Sequence, residues 1–330
     1  FVVFLGATLA IGPLVRRLVP EARARHVWAA RFLFPGVFLY DSNLNGGADH
    51  IAAVFVVPLY LVLLRAWPDL HPKRLAHLVV MLAGAALAKY SAAIAILFPV
   101  VLLVAGRMLW LAATQRRRGG RWHWLWGPLT ATAVGLMITA PHWLKNLAWY
   151  GDPLYPQLHA LFPATPLLPE NARVYDWGYL QQKWAPPDGW EGVKESLKVL
   201  WSFSLRPHDW PMFHRKVPVF GSLFTLSLLA LPFVGARRRV WGLAAFVHLS
   251  IFSWYQVHHQ DRHLQTIVPL MAAVLAAVML RAWRQGWIPR LGLAALITAQ
   301  VGFSGDVPFI PGHAMLGKES PIPAAQELFS

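Results

Sequence analysis

The chain contains no cysteine, so a disulfide framework, an iron–sulfur cluster, a thiol nucleophile and a cysteine-based zinc site are all excluded. Charge is scarce as well: only 14% of the 330 residues are Asp, Glu, Lys or Arg, against 56% hydrophobic residues. That balance does not suit a single globular domain in water. Acids are the scarcer sign, at 15 against 30 Lys and Arg, giving a formal charge of +15. In a soluble protein such an excess would point to a nucleic-acid partner. Here the basic residues cluster between apolar runs, the pattern of cytoplasmic loops in a membrane protein, and nucleic acid drops out as a partner. No internal repeat, glycine-rich phosphate loop or low-complexity tract is present. The first residue, Phe1, falls inside an apolar run with no Met or charged flank, which reads as the interior of a longer protein, truncated before Phe1, rather than as a signal peptide.

What is abundant is apolar length. A helix needs roughly 20 apolar residues to cross the hydrocarbon layer. Segments near 1–15, 27–41, 50–66, 76–89, 91–106, 124–144, 217–236, 239–257, 265–282 and 287–304 are candidates. The fourth and fifth meet at Lys89-Tyr90-Ser91 with no polar loop between them, predicting a sharp hairpin. The expectation is an all-α polytopic membrane protein. Residues 1–144 form the N-terminal part of a transmembrane bundle, 145–216 an external loop or cap, 217–304 the C-terminal transmembrane helices, and 305–330 an external tail.

The charges assign the sides. Loops on one side carry 18 of the 30 basic residues and only two acids, Glu21 and Asp69. By the positive-inside rule that side is cytoplasmic and the other faces outward. The polar stretch 145–216, rich in Trp, Pro and Tyr and including Trp177, Trp184, Trp190, Trp201 and Trp210, then lies outside. Within it, 192–203 is a candidate interfacial amphipathic helix.

This topology brings distant polar residues to one depth at the outer ends of the helices: Asp41, Asp49, His50, Lys89, Tyr90, His142, Lys145, Asn146, Asp152, Tyr155, His258, His259, Asp261, Arg262 and His263. Ionisable groups at the hydrocarbon edge are costly unless paired or facing a wet cavity, so their convergence predicts an outward-facing polar site. Asp49 opens a helix after the turn-forming Asp41 to Gly47, where it can cap exposed N–H groups, hold a metal or bind a sugar hydroxyl. Small residues from Gly84 to Ala88 permit close helix packing and deliver Lys89 into apolar surroundings, where a phosphate is a fitting partner. A third helix ends in Gly151-Asp152-Pro153, with His142, Lys145 and Asn146 in its last turns and Tyr155 beyond. His258, His259, Asp261 and His263 invite a metal reading, but adjacent residues in a helix point in different directions, so no more than two could easily share a centre, whereas the planar fork of Arg262 suits a phosphate diester. His214-Arg215-Lys216 reads as a head-group contact. A divalent metal on Asp49, His50 and His258 stays open, and no other cofactor is called for.

The ordered set Gly47-Ala48-Asp49, Gly84 to Lys89-Tyr90, Pro141 to Lys145-Asn146, Tyr150-Gly151-Asp152-Pro153-Leu154-Tyr155-Pro156, and Arg262 ahead of Ile267-Val268-Pro269-Leu270 resembles the bacterial protein-mannosyltransferase-like glycosyltransferases of GT-C fold. That group includes the RgtA/B/C/D-like enzymes and the lipid A aminoarabinose transferase. The resemblance spans about 45–275. It implies a GT-C-type transmembrane bundle with a periplasmic cap loop in the bacterial inner membrane. It further implies transfer of a sugar from a polyprenyl-phosphate donor to a periplasmic lipid, glycan or protein acceptor. By carry-over Asp49 looks like the family's second acidic position, and Lys89 and Arg262 like donor-phosphate contacts. The family's principal catalytic acid would precede Phe1. His263 and Gln265 depart from the aromatic and apolar residues usual after the Arg, and Asp152 stands where Asn is commoner. An inverting transfer needs a carboxylate to take the acceptor's proton and a cationic site for the departing phosphate. An O-antigen ligase or polymerase would share the topology and the lipid donor. A secondary transporter would instead carry broken helices in repeated halves, which the sequence lacks.

Overall fold

The computed structural model describes residues 2–30, 48–115, 122–159, 161–162, 170, 185–205, 223–233, 235, 238–259 and 261–304. Every regular element among them is helical: α1 Val2–Leu18, α2 Ala24–Ala30, α3 Ala48–Ala66, α4 Pro72–Ala88, α5 Tyr90–Gln115, α6 His123–Tyr150, α7 Gly189–Ser202, α8 Leu223–Leu228, α9 Arg238–His258, a 3-10 helix Asp261–Ile267, α10 Val268–Trp283 and α11 Trp287–Ser304.

Four of the described helices are long and apolar enough to cross a membrane: Ala48–Ala66, Ala92–Thr114, Arg238–Val257 and His263–Trp283. That is the mark of an all-helical membrane protein, though four is fewer than the ten segments the hydropathy suggests. α1 and α4 stop at 17 residues each. α6 has length to spare, at 28 residues, but its last turns carry His142, Lys145 and Asn146. The segment 27–41 lies partly outside the described residues. The expected span 217–236 lies partly outside the described residues; within them it is helical from Leu223 to Leu228 and proceeds through turns to Phe233.

α10 is the axis of the bundle. It is apolar all round, as a helix with no wet face must be, and is buried from Val268 to Met279 against α1, α2, α3, α8, α9 and α11. Helices further out leave large side chains uncovered, among them Leu109, Leu136 and Met137 at 65%, 64% and 70% exposure. Such surfaces suit lipid contact better than water.

α3 and α4 form a tight antiparallel pair. A Cβ at Gly84 would stand 2.5 Å from the Phe55 ring, so the glycine is what admits the neighbouring helix. The expected hairpin is present. α4 closes on Lys89, whose extended backbone donates its N–H to the Ala85 carbonyl, and α5 begins at the next residue.

The two ends of the bundle differ in chemistry. At one end arginines cap carbonyls at helix termini and in turns, as cations do best there. Arg107 donates to the Trp67 and Pro68 carbonyls at 2.8 and 2.9 Å and lies over the Trp67 ring. Arg290 treats Trp283 alike. Both acids expected on this side are there, Asp69 paired with Arg74 and Glu21 with Arg281 and Arg284. The opposite end gathers the start of α3, the α4–α5 reversal, the end of α6 and the end of α9.

Candidate polar site at the Asp49 end

Asp49 is the second residue of α3, next to the unsatisfied N–H groups of the first turn, where a carboxylate complements the helix dipole. It is also buried, at 6% exposure. A carboxylate in that setting needs a cation, and the α4–α5 reversal supplies one: Lys89 Nζ donates to Asp49 Oδ2 at 2.5 Å. The other oxygen, Oδ1, is buried and has no hydrogen-bond partner among the described residues. A buried acceptor without a partner costs free energy and calls for an explanation, a catalytic role or a bound water or ion among them.

Beside this pair, Tyr90 opens α5. Its hydroxyl and Asn146 Nδ2 both meet His142 Nε2, the amide at 3.3 Å. An amide nitrogen can only donate, so Nε2 accepts and the imidazole is the neutral tautomer with its proton on Nδ1. Burial pushes the Tyr90 phenol above its ordinary range. The Asn146 hydrogen bond pulls it back in part, and the negative charge of Asp152 adds to the rise. Tyr90 is therefore a proton-bearing donor at neutral pH. Asn146 also donates to the Pro153 carbonyl at 3.3 Å, tying the end of α6 to the turn that follows.

Burial and contacts divide the residues of α6. His142 and Asn146 are four apart and share one face. Lys145 is exposed and lies over the Trp149 ring at 5.4 Å, so it is not brought to the Asp49–Lys89 pair. Tyr155 stacks on Tyr150 with ring centroids 4.2 Å apart. Asp152 is fully buried, yet both its oxygens take backbone N–H groups, Leu154 at 2.8 Å and Leu158 at 3.1 Å. Its role is to fold the turn.

The 3-10 helix 261–267, which includes Arg262, packs on α3, which carries Asp49, and on α5, which begins just after Lys89. The side chains of His258, Asp261 and Arg262 lie outside the described residues, as do Asp41 to Gly47, His214-Arg215-Lys216, Trp177, Trp184, Trp210 and the tail from 305. His259 is buried and stacks on Tyr255 at 4.5 Å, and His263 is buried as well. Around Asp49 and His50, as elsewhere among the described residues, no group of three His, Asp or Glu side chains is placed to hold a metal ion. The Lys89 ammonium on Asp49 also competes with any cation there.

Sequence reasoning misses a second polar cluster at this end. Tyr255 donates to Glu195 Oε2 at 3.5 Å, and Gln256 Nε2 donates to Ser196 Oγ at 2.6 Å and to the Gly192 carbonyl at 3.3 Å. The available signal is the small-residue pair Gly192 and Ser196 at helical spacing, together with one glutamine in an otherwise apolar stretch of helix.

No known family model, curated protein or solved structure matches the chain. The fold and site define a class, an all-helical membrane protein with a part-buried ion pair and a Tyr–His–Asn cluster at the end opposite its carbonyl-capping arginines.

Proposed function

We propose that the chain is a membrane glycosyltransferase that moves a sugar from a polyprenyl-phosphate donor to an acceptor hydroxyl on the periplasmic side of the bacterial inner membrane, with inversion. The observation that carries this reading is the buried Asp49 carboxylate, held through Oδ2 by Lys89 while Oδ1 has no partner among the described residues. In this mechanism the acceptor hydroxyl gives its proton to Oδ1 as its oxygen bonds to the anomeric carbon. The bond from that carbon to the phosphate oxygen breaks, and its electron pair leaves on the lipid phosphate. Lys89 has three N–H donors, so it can orient Asp49 and still reach a phosphate oxygen. Arg262 supplies the bidentate contact that a phosphodiester prefers. A site at the end of apolar helices lets the prenyl chain remain in lipid while the sugar phosphate enters the polar cluster. A GT-C-type bundle with a periplasmic cap accords with the helical architecture.

The direct test is to reconstitute the full-length protein in vesicles with a radiolabelled polyprenyl-phosphate hexose or pentose and follow release of polyprenyl phosphate. Release dependent on an added membrane-envelope acceptor, with a product of inverted anomeric configuration, is expected. Donors that stay intact with every acceptor fraction would refute the reading.

A further inference from the structure

The helix α7, Gly189–Ser202, does not run where an amphipathic loop helix would be expected. Its first turns lie against the site end of α9: Gln256 holds Gly192 and Ser196, and Tyr255 reaches Glu195. Just past its other end, Phe203 meets Phe224 edge-on at 6.0 Å, Phe224 stacks on His248 at 6.1 Å, and Ser204 hydrogen-bonds Thr225. Gln256 and His248 are eight residues apart on one helix, about 12 Å along its axis. α7 therefore descends antiparallel to α9 and ends at the middle of a helix long enough to cross the membrane.

How the two faces of α7 are finished indicates the medium. Ser202, Phe203 and Ser204, at the deep end, are 3%, 0% and 0% exposed. The Phe203 N–H bonds the Val199 carbonyl and the Leu205 N–H the Ser202 carbonyl. A helix terminus within a bilayer has to be enclosed and satisfied in this way, because lipid offers no hydrogen bonds. The opposite face carries Trp190, Leu197 and Trp201, spaced seven and four residues apart and therefore in line, at 68%, 50% and 47% exposure. That stripe extends from the site end to half depth, alongside a membrane-spanning helix. The exposed charged residues of α7 are Glu191 in the first turn and Lys194 and Lys198 below it, and the usual tilt of helical side chains toward the N-terminus favours the interface for both lysines. Lys194 pairs with Glu191 one turn higher, at 3.1 Å.

We propose that α7 is a half-span helix embedded in the membrane leaflet on the Asp49 side, and that its exposed face, marked by Trp190, Leu197 and Trp201, lies against lipid hydrocarbon. Water above the membrane or a second copy of the chain would be different outcomes. This placement rests on the packing of α7 against α9 and stands apart from the glycosyltransferase reading.

The single substitutions Gly189→Cys, Leu197→Cys and Trp201→Cys in the full-length protein, reconstituted in phosphatidylcholine vesicles, provide the test. Leu197→Cys removes less apolar volume than Trp201→Cys and guards against misfolding of the tryptophan variant. The thiol of Gly189→Cys should react with an impermeant maleimide, while those of Leu197→Cys and Trp201→Cys should resist it at least tenfold. An environment-sensitive fluorophore attached through a permeant reagent to Leu197→Cys should emit to the blue and be quenched by acyl-chain bromolipids. Labelling of Leu197→Cys as fast as Gly189→Cys, or quenching only by aqueous iodide, would place the stripe in water and overturn the proposal. Protection without bromolipid quenching, lost on dilution of protein in lipid, would assign the face to a second copy and overturn it as well.

Discussion

The Asp49–Lys89 pair allows a quantitative test. Lys89→Met keeps an unbranched apolar stem, one atom shorter, and removes the charge, leaving a carboxylate buried without its cation. Breaking a buried pair by removing one partner costs roughly 3–5 kcal/mol. The side chains here are 21% and 9% exposed, so partial hydration of the ammonium places the expected cost at the lower end, about 3 kcal/mol. Asp49→Asn keeps the shape and leaves Lys89 with a weaker neutral acceptor. The double variant has no charge left to strand. A coupling of about 2 kcal/mol is therefore expected, roughly thirtyfold in the folding equilibrium. Any contribution of Asp49 to the α3 dipole appears in both Asp49→Asn arms and cancels from the cycle. The assay is reversible unfolding of the four proteins in mixed micelles by denaturing detergent, followed by circular dichroism. Additive costs, with coupling below about 0.5 kcal/mol, would mean that the contact does not organise the site.

A cysteine introduced at Gly119, between arginine-rich segments, should be shielded from an impermeant thiol reagent in intact cells, whereas one at Gly189 should be labelled, and the reverse pattern would invert the sidedness. Arg262→Ala should lower transfer from a polyprenyl-phosphate sugar by about two orders of magnitude, the scale of losing a donor to developing charge, and Arg262→Lys should recover only part. Unchanged turnover at subsaturating donor would remove Arg262 from the mechanism. The Tyr90 phenol, raised by burial, contributes stability that is fully present below the unfolded value of about 10 and is lost as pH rises through the folded value. Alkaline titration of tyrosinate absorbance should therefore show a late-ionising fraction that shrinks by one phenol in Tyr90→Phe, and a loss from the early fraction instead would contradict the burial argument.

Helices and their polar ends are more legible in the sequence than the partners those ends find. Apolar runs locate α3, α5, α9 and α10, and the bare Lys89-Tyr90-Ser91 junction is enough to read the reversal between α4 and α5. Asp49 stands out because it opens a helix, and Lys89 because it interrupts an apolar stretch. That the two meet each other depends on the close approach at Gly84 and Phe55, which hydropathy does not encode. Side-chain direction carries more than the ordered motifs use. His142 and Asn146, four residues apart, share a face by helical spacing alone, whereas Lys145, only three from His142, is set apart by its exposure and its place over the Trp149 ring. Asp152 resembles a site residue because a buried acid is usually functional, yet its obligations are to the N–H groups of Leu154 and Leu158. The break after Leu228 is invisible to hydropathy because turns packed inside a bundle can be as apolar as a span.

Whether Asp49 takes the acceptor's proton during sugar transfer is decided by the turnover of Asp49→Asn in the reconstituted full-length protein, read beside its donor affinity and its unfolding free energy. Turnover should fall roughly a hundredfold or more, the scale of removing a general base, in a protein that still folds and binds the lipid-linked donor. Asp49→Glu should regain part of the rate with a shifted pH profile. Near-normal turnover of a folded Asp49→Asn protein would contradict the proposed chemistry and leave the Asp49–Lys89 pair as a structural contact.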